Sequence, residues 1–205
     1  MKRRPPTEVA ADLERYGGLL RRYHGTLDLM SDAGLARLDE HVRDAEAYVD
    51  VLAGLSPAPA RIMDLGAGAG LPGIVVAVTF EGVSLEMVER RRKRATFLRM
   101  VAAAVGGAEV EVRSGDVRST DGAPVEVVLA QAVGTLDQVY ALTRHRHAPY
   151  VVLMSRKGPE WRAEIEALEA ATGAAFDVVA DASLARRGTL VAVRAQGGLP
   201  CRSSV

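Results

Sequence analysis

At 205 residues the chain suits one large domain, or one domain with an appendage, and needs no covalent staples to bury a core. A hydrophobic fraction of 48% excludes a disordered chain, and a single cysteine, Cys201, excludes a disulfide framework or a thiolate zinc cluster. Basic and acidic residues balance at 26 each, so any nucleic acid or membrane must be met by a local patch rather than a global field.

The basic start Lys2-Arg3-Arg4 is followed by Pro5, Pro6 and acidic residues instead of an apolar run, so it does not read as a signal peptide. No stretch approaches the roughly 20 apolar residues of a membrane span. A cytoplasmic protein without membrane contact is expected. From residue 7 to about 54, Leu13, Tyr16, Leu19, Leu20 and Tyr23 fall at helical spacing, as do Val42, Ala45, Val49 and Leu52. Ser31 and Asp32 are candidates to cap the second helix. Residues 1–56 therefore read as a helical cap that cannot form a domain alone, and Ser56-Pro57-Ala58-Pro59 ends it.

Seven apolar runs follow: Ile62–Leu65, Val83–Val88, Val110–Val112, Val125–Leu129, Tyr150–Met154, Phe176–Val179 and Leu190–Val193. Helical stretches at Ile74–Thr79, Arg91–Val105, Leu136–His145 and Glu160–Thr172 separate most of them. This alternation predicts an α/β domain over residues 57–196, with a doubly wound, mostly parallel seven-strand sheet. Residues 197–205 read as a loose tail.

The segment Asp64-Leu65-Gly66-Ala67-Gly68-Ala69-Gly70-Leu71-Pro72-Gly73 joins the first strand to a helix. Its glycines permit a tight turn and close approach of a ligand to the main chain. Gly68-x-Gly70-x-x-Gly73 alone would also suit a dinucleotide. A carboxylate at Asp64, however, opposes a pyrophosphate and favours the sulfonium and ammonium of S-adenosylmethionine. Glu89 closes the next strand about 20 residues on, where an acid would take the ribose hydroxyls. Asp116, with Val117 beside it, follows the third strand and is placed for the adenine amino group. A Rossmann-like, class I S-adenosylmethionine-dependent methyltransferase is therefore expected.

Within this frame the chain resembles the bacterial 16S ribosomal RNA guanine-N7 methyltransferases, also called glucose-inhibited division protein B. The resemblance spans roughly residues 16 to 194 and is most specific at Gly70-Leu71-Pro72-Gly73-Ile74. Lys93-Arg94-Ala95-Thr96-Phe97-Leu98 is similar to the family's Lys-Arg-x-x-Phe-Leu helix, and His41-Val42-Arg43-Asp44-Ala45 to its His-x-x-Asp-Ser element. Leu20-Arg21-Arg22-Tyr23 and Lys157-Gly158 resemble its Leu-x-x-Trp start and its Lys-Gly after the fifth strand. The resemblance implies methylation of N7 of a guanosine in the 530-loop region of 16S ribosomal RNA, with the RNA or the small ribosomal subunit as partner. Such a reaction needs neither a metal nor a general base, because guanine N7 has a lone pair and no proton, so no catalytic residue is assigned. His24, His145 and His147 remain open as bases.

Two departures accompany the match. Where the family usually has Arg-x-Glu, this chain has Asp116-Val117-Arg118; where it has Ser-Arg-Ala, this chain has Ala130-Gln131-Ala132. Each takes an arginine from the expected cofactor and substrate mouth, and no other residue replaces a guanidinium fork. A divergent paralogue acting on another RNA or a small molecule, and a binding protein without catalysis, stay open as alternatives. The expected cofactor-binding set is Asp64, Gly66, Gly68, Gly70, Leu71, Gly73, Glu89, Asp116, Val117 and Gln131. For substrate, the run Arg90-Arg91-Arg92-Lys93-Arg94 offers Arg91, Arg92 and Arg94 to RNA phosphates, with Lys157 beside the target base. Trp161 reads as core, and the protein as a monomer.

Overall fold

A computed structural model describes residues 1–197; Cys201 and all but the first residue of the expected tail lie outside the described residues. The chain begins with a short strand, β1 (Lys2–Arg3), and three helices, α1 (Pro6–Leu27), α2 (Asp32–Ala36) and α3 (Leu38–Gly54). Then come β2 (Arg61–Leu65), α4 (Gly73–Thr79), β3 (Phe80–Glu81), β4 (Ser84–Glu89), α5 (Arg92–Ala102), β5 (Glu109–Ser114) and β6 (Val125–Ala130). The last elements are α6 (Leu136–Thr143), β7 (His147–Lys157), α7 (Trp161–Thr172), β8 (Phe176–Ser183) and β9 (Thr189–Ala195).

Seven strands form one sheet in the order β5-β4-β2-β6-β7-β9-β8, as the seven apolar runs predict. All neighbours are parallel except that β9 runs antiparallel to both β7 and β8. The order reverses at β2, which sits between β4 and β6, and this switch point opens a crevice at the carboxyl ends of those strands. Residue parity shows both faces are covered. Ile62, Val127, Leu129, Leu190 and Ala192 pack into one apolar layer, and Met63, Val128, Val191 and Val193 into the other. Trp161 is buried in the second layer, as core.

The helical cap shares the first layer. Tyr16, Leu20, Tyr48 and Leu52 are almost wholly buried in the same cluster as Ile62, Ile74 and Leu85. Its helices are amphipathic, and their apolar faces have no other surface to cover them. The Ser31 hydroxyl accepts from the Gly34 amide at 3.1 Å, so it caps the short α2 and not the helix that carries Val42 to Leu52, whose N-cap is Arg37.

Three details depart from the expectations. The cap has three helices, because α2 is a separate short turn before α3. The N-terminus adds β1, whose Lys2 and Arg3 pair antiparallel with Glu81 and Phe80. Two residues are too short to give an alternation signal. The helix expected to reach His145 ends at Thr143, and Arg144–Arg146 form a 3-10 turn that leads directly into a longer β7.

Candidate functional site

A cavity of about 730 Å³ lies at the carboxyl ends of β2, β6 and β7. Gly66, Ala67, Gly68, Ala69 and Leu71 of the glycine loop line it, as do Gln131 and Ala132 after β6. Leu29, Met30 and His41 of the cap close another side. Five basic side chains line the same cavity: Arg94, Arg156, Lys157, Arg186 and Arg187.

The loop is held in place from three directions. Gly66, Gly68 and Gly70 have φ of 70°, 57° and 104°, a region L side chains rarely adopt. A Cβ on Gly68 would meet only the Gly66 carbonyl, at 3.6 Å, so the loop's flank stays open to a ligand. The Glu89 carboxylate accepts from the Gly68 amide at 2.9 Å and from the Arg91 amide at 2.7 Å, joining the loop to the start of α5. From the cap, the buried Tyr16 hydroxyl donates to the Ala69 carbonyl at 2.9 Å.

Asp64 lies beneath the loop, only 1% exposed, and its Oδ2 accepts from the Gly73 amide at 3.0 Å. Burial pushes its carboxyl up to about 7, against the pull of the Gly73 hydrogen bond. It is not on the cavity wall and meets the loop from beneath. A Cβ on Gly73 would overlap Asp64 Oδ2 and Met87 Cε. Only glycine fits there. The first amide of α4 is thus already taken by a carboxylate, and the bare helix N-terminus a pyrophosphate needs is absent.

Asp116 stands at the end of β5, but Arg118 chelates it through its backbone amide and both arms of the guanidinium, at 2.7 to 3.0 Å. These bonds hold the Asp116 carboxyl well below the usual carboxylate range. Neither it nor the buried Val117 lines the cavity. The pair carries the same charges as the family's Arg-x-Glu in reverse order.

Gln131 lies where the resemblance expects an arginine. With its amide oxygen turned towards Arg186, it accepts from Arg186 Nη2 at 3.0 Å, and its nitrogen donates to the Leu71 carbonyl at 3.2 Å. A guanidinium from the turn between β8 and β9 thus lies beside the uncharged Gln131 on the cavity wall. Arg186 is in turn fixed by the cap: its Nε donates to Asp44 Oδ2 at 2.7 Å, its amide to Asp44 Oδ1 at 3.2 Å, and Nη1 meets His41 Nε2 at 3.2 Å. Burial, followed by the Arg186 charge, lowers the His41 pKa below its usual value. The neutral ring then accepts from Arg186 through Nε2.

Among the expected substrate residues, Lys157 is 6% exposed, with Nζ 2.6 Å from the Gly134 carbonyl and 2.7 Å from Glu164. Its ammonium ties the segment after β6 to α7 while the residue lines the cavity. Arg91 and Arg94 both engage Asp28 at the end of α1, through its carboxylate and its carbonyl. Arg94 reaches the cavity, while Arg90 and Arg92 are exposed and unpaired among the described residues. Arg156, Arg186, Arg187 and Met30 escape sequence reasoning. They sit in turns and strand ends that carry no periodic signal; only His41 and Asp44 were marked, by the family resemblance. His145 and His147 lie elsewhere: the half-buried His147 meets Thr143 Oγ1 at 2.7 Å, and His145 contacts the Thr120 carbonyl.

Among the described residues no helix is long and apolar enough to cross a membrane, and no group of acidic, histidine or cysteine side chains forms a metal cluster. The family model for rRNA small subunit methyltransferase G matches residues 9–185. Ribosomal RNA small subunit methyltransferase G of Leptothrix cholodnii is 34% identical over 169 residues, covering 81% of this chain and 78% of the relative. The protein of the same name from Halorhodospira halophila is 32% identical, covering 89% and 87%. Magnesium protoporphyrin IX methyltransferase from Synechocystis PCC 6803, with bound SAM, superposes at a TM-score of 0.61 and 14% identity, over 88% of this chain and 96% of its own. That likeness carries the class I methyltransferase fold. The sequence match carries more: this chain belongs to the family of rRNA small subunit methyltransferase G.

Proposed function

We propose that this protein transfers a methyl group from S-adenosylmethionine to N7 of a guanosine in 16S ribosomal RNA, acting in the cytoplasm as a monomer on the RNA or the small subunit. One observation carries the reading. A single cavity is lined both by the glycine loop, suited to a methyl donor, and by four guanidinium groups. A nucleotide fits between them, its base towards the loop and its phosphates towards the arginines.

The donor set fits S-adenosylmethionine. Glu89 is buried and off the cavity wall, and each of its oxygens accepts from a backbone amide, so it fixes the loop on which the donor's ribose would rest. When bound, this cofactor supplies an electrophilic methyl on a sulfonium. Because N7 has no proton to lose, the chain's own task is to orient the base, exclude water and hold the walls rigid. Tyr16, Glu89 and Lys157 do the last through their bonds to Ala69, Gly68 and Gly134. Asp64, Gly66, Gly68, Gly70, Leu71, Gly73 and Gln131 shape the donor side, and Asp116 and Val117 border it after β5. Arg91, Arg92 and Arg94 form an RNA-docking edge at the start of α5. We divide the chain into a cap at 1–56 and a methyltransferase domain at 57–196.

Mapping N7-methylguanosine in ribosomal RNA from cells with and without this gene tests the reading. One modified guanosine in 16S RNA should disappear with the gene. An unchanged map would overturn it.

A further inference from the structure

Beside the main cavity a second hollow, of about 440 Å³, opens between the junction of α2 and α3 and the β8–β9 turn. Arg37, Arg156, Arg186 and Arg187 line it. Three of these also line the main cavity, so the two spaces are neighbours, but Arg37 belongs to the outer one alone.

The charges here do not cancel. Four guanidinium groups face two carboxylates: Asp44, bound to Arg186 at 2.7 Å, and Glu40, bound to Arg37 at 2.5 Å. Arg156 reaches Asp44 only at 3.9 Å and spends Nη2 on the carbonyls of Arg186 and Arg187. Arg187 is exposed, with no side-chain partner among the described residues. Burial and then the neighbouring Arg186 charge push the Arg156 pKa down, and Arg37 adds to this. Crowded like charges beside a cavity are stabilised by an anion that arrives from outside.

The geometry points to a phosphate-binding subsite: Arg37, Arg156 and Arg187 hold a backbone phosphate of the RNA strand next to the nucleotide whose base enters the main cavity. The inference rests on the proposed function and names the part of the substrate this corner takes. A phosphate suits the arrangement because guanidinium forks match its oxygens, and several can share one group. The carboxylate of a bound methyl donor is a poorer occupant, since Arg37 lies outside the cavity the donor would share with the glycine loop. Gln131 and Asp44 keep Arg186 at the boundary between the two spaces.

Fluorescence anisotropy of a labelled single-stranded RNA oligomer, titrated at several salt concentrations, tests this with wild type, Arg37→Gln and Arg37→Gln/Arg187→Gln. Both side chains are exposed, so the fold should tolerate the changes, which circular dichroism would verify. Each substitution should lower the slope of log Kd against log salt by about 0.7, the value for one single-strand phosphate contact. Calorimetry of S-adenosylmethionine binding runs alongside. An unchanged slope in the double variant would overturn the subsite, as would a loss of S-adenosylmethionine affinity equal to the loss for RNA. Wild type that methylates 16S RNA with an arginine-independent slope sinks the subsite and leaves the proposed function standing. Wild type with an arginine-dependent slope but no methylation of 16S RNA upholds the subsite and sinks the target.

Discussion

Arg186 and Asp44 are 142 residues apart in sequence and form a 2.7 Å ion pair at the edge of the cavity. Asp44 is only 3% exposed and takes a second bond from the Arg186 backbone. The pair joins the helical cap to the last hairpin of the sheet, so the cap is part of the site's wall. Removing one partner leaves the other buried and uncompensated. Asp44→Asn should cost about 3 kcal/mol of stability, the lower end for breaking a buried pair. Denaturant unfolding would measure this, and RNA methylation should fall further than S-adenosylmethionine affinity.

Gln131 and Arg186 predict the outcome of restoring the family's arginine. Gln131→Arg sets a second guanidinium against Arg186, where the amide oxygen accepts at 3.0 Å. Like charges at such range cost between about 1 and 4 kcal/mol, from water-like to surface-like dielectric. Single-turnover methylation of small subunits should therefore slow in Gln131→Arg, while Arg186 keeps its pair with Asp44. Faster methylation by the single variant would show that the two positions do not share one charge.

Asp64 connects pH to the glycine loop. Its carboxyl is raised to about 7 from an unfolded value near 3.8. The stability this gives is full below pH 3.8 and is lost as pH rises through about 7. Asp64→Asn should flatten that decline in urea-unfolding profiles and make the chain more stable than wild type at pH 8. It should still weaken S-adenosylmethionine binding, because the Gly73 amide loses an ionisable acceptor.

His147 acts in the opposite direction. Burial, then the nearby His145, lowers it from 6.5 to about 4. The stability held by the neutral ring is present above pH 6.5 and lost as pH falls through about 4, an effect of about 3 kcal/mol. Unfolding free energies measured across that window should fall in wild type and fall less in His147→Gln.

Gly73→Ala isolates packing from charge. The added methyl would overlap Asp64 Oδ2 and Met87 Cε in a fully buried spot. Overpacking of this kind costs about 1–3 kcal/mol. Thermal unfolding should show the loss, and calorimetry a weakened S-adenosylmethionine affinity as the loop shifts.

The sheet was legible because each strand is an unbroken apolar run between helical periods, as Ile62–Leu65 and Val125–Leu129 illustrate. The donor wall was legible because glycines at 66, 68 and 70 have a local backbone reason, visible in their positive φ. The basic wall was not. Arg156, Arg186 and Arg187 look like any surface arginines until β7, β9 and α3 bring them together. Asp116 and Lys157 show a second limit, since spacing for the first and the family resemblance for the second gave their position but not the Arg118 or Glu164 that already occupies them.

The pairing of β1 with β3 has a consequence for synthesis. The backbones of Lys2 and Arg3 find their strand partners only once Phe80 and Glu81 exist, and Arg4 likewise waits for the carbonyls of Val78 and Thr79. Tyr16, Leu20, Tyr48 and Leu52 emerge first with their apolar faces bare, since the surface that covers them is translated later. At about 5–20 residues per second, the cap spends several seconds as an exposed amphipathic bundle. A nascent chain stalled between residues 54 and 80 should therefore be held by chaperones, whereas one extended past β6 should release them.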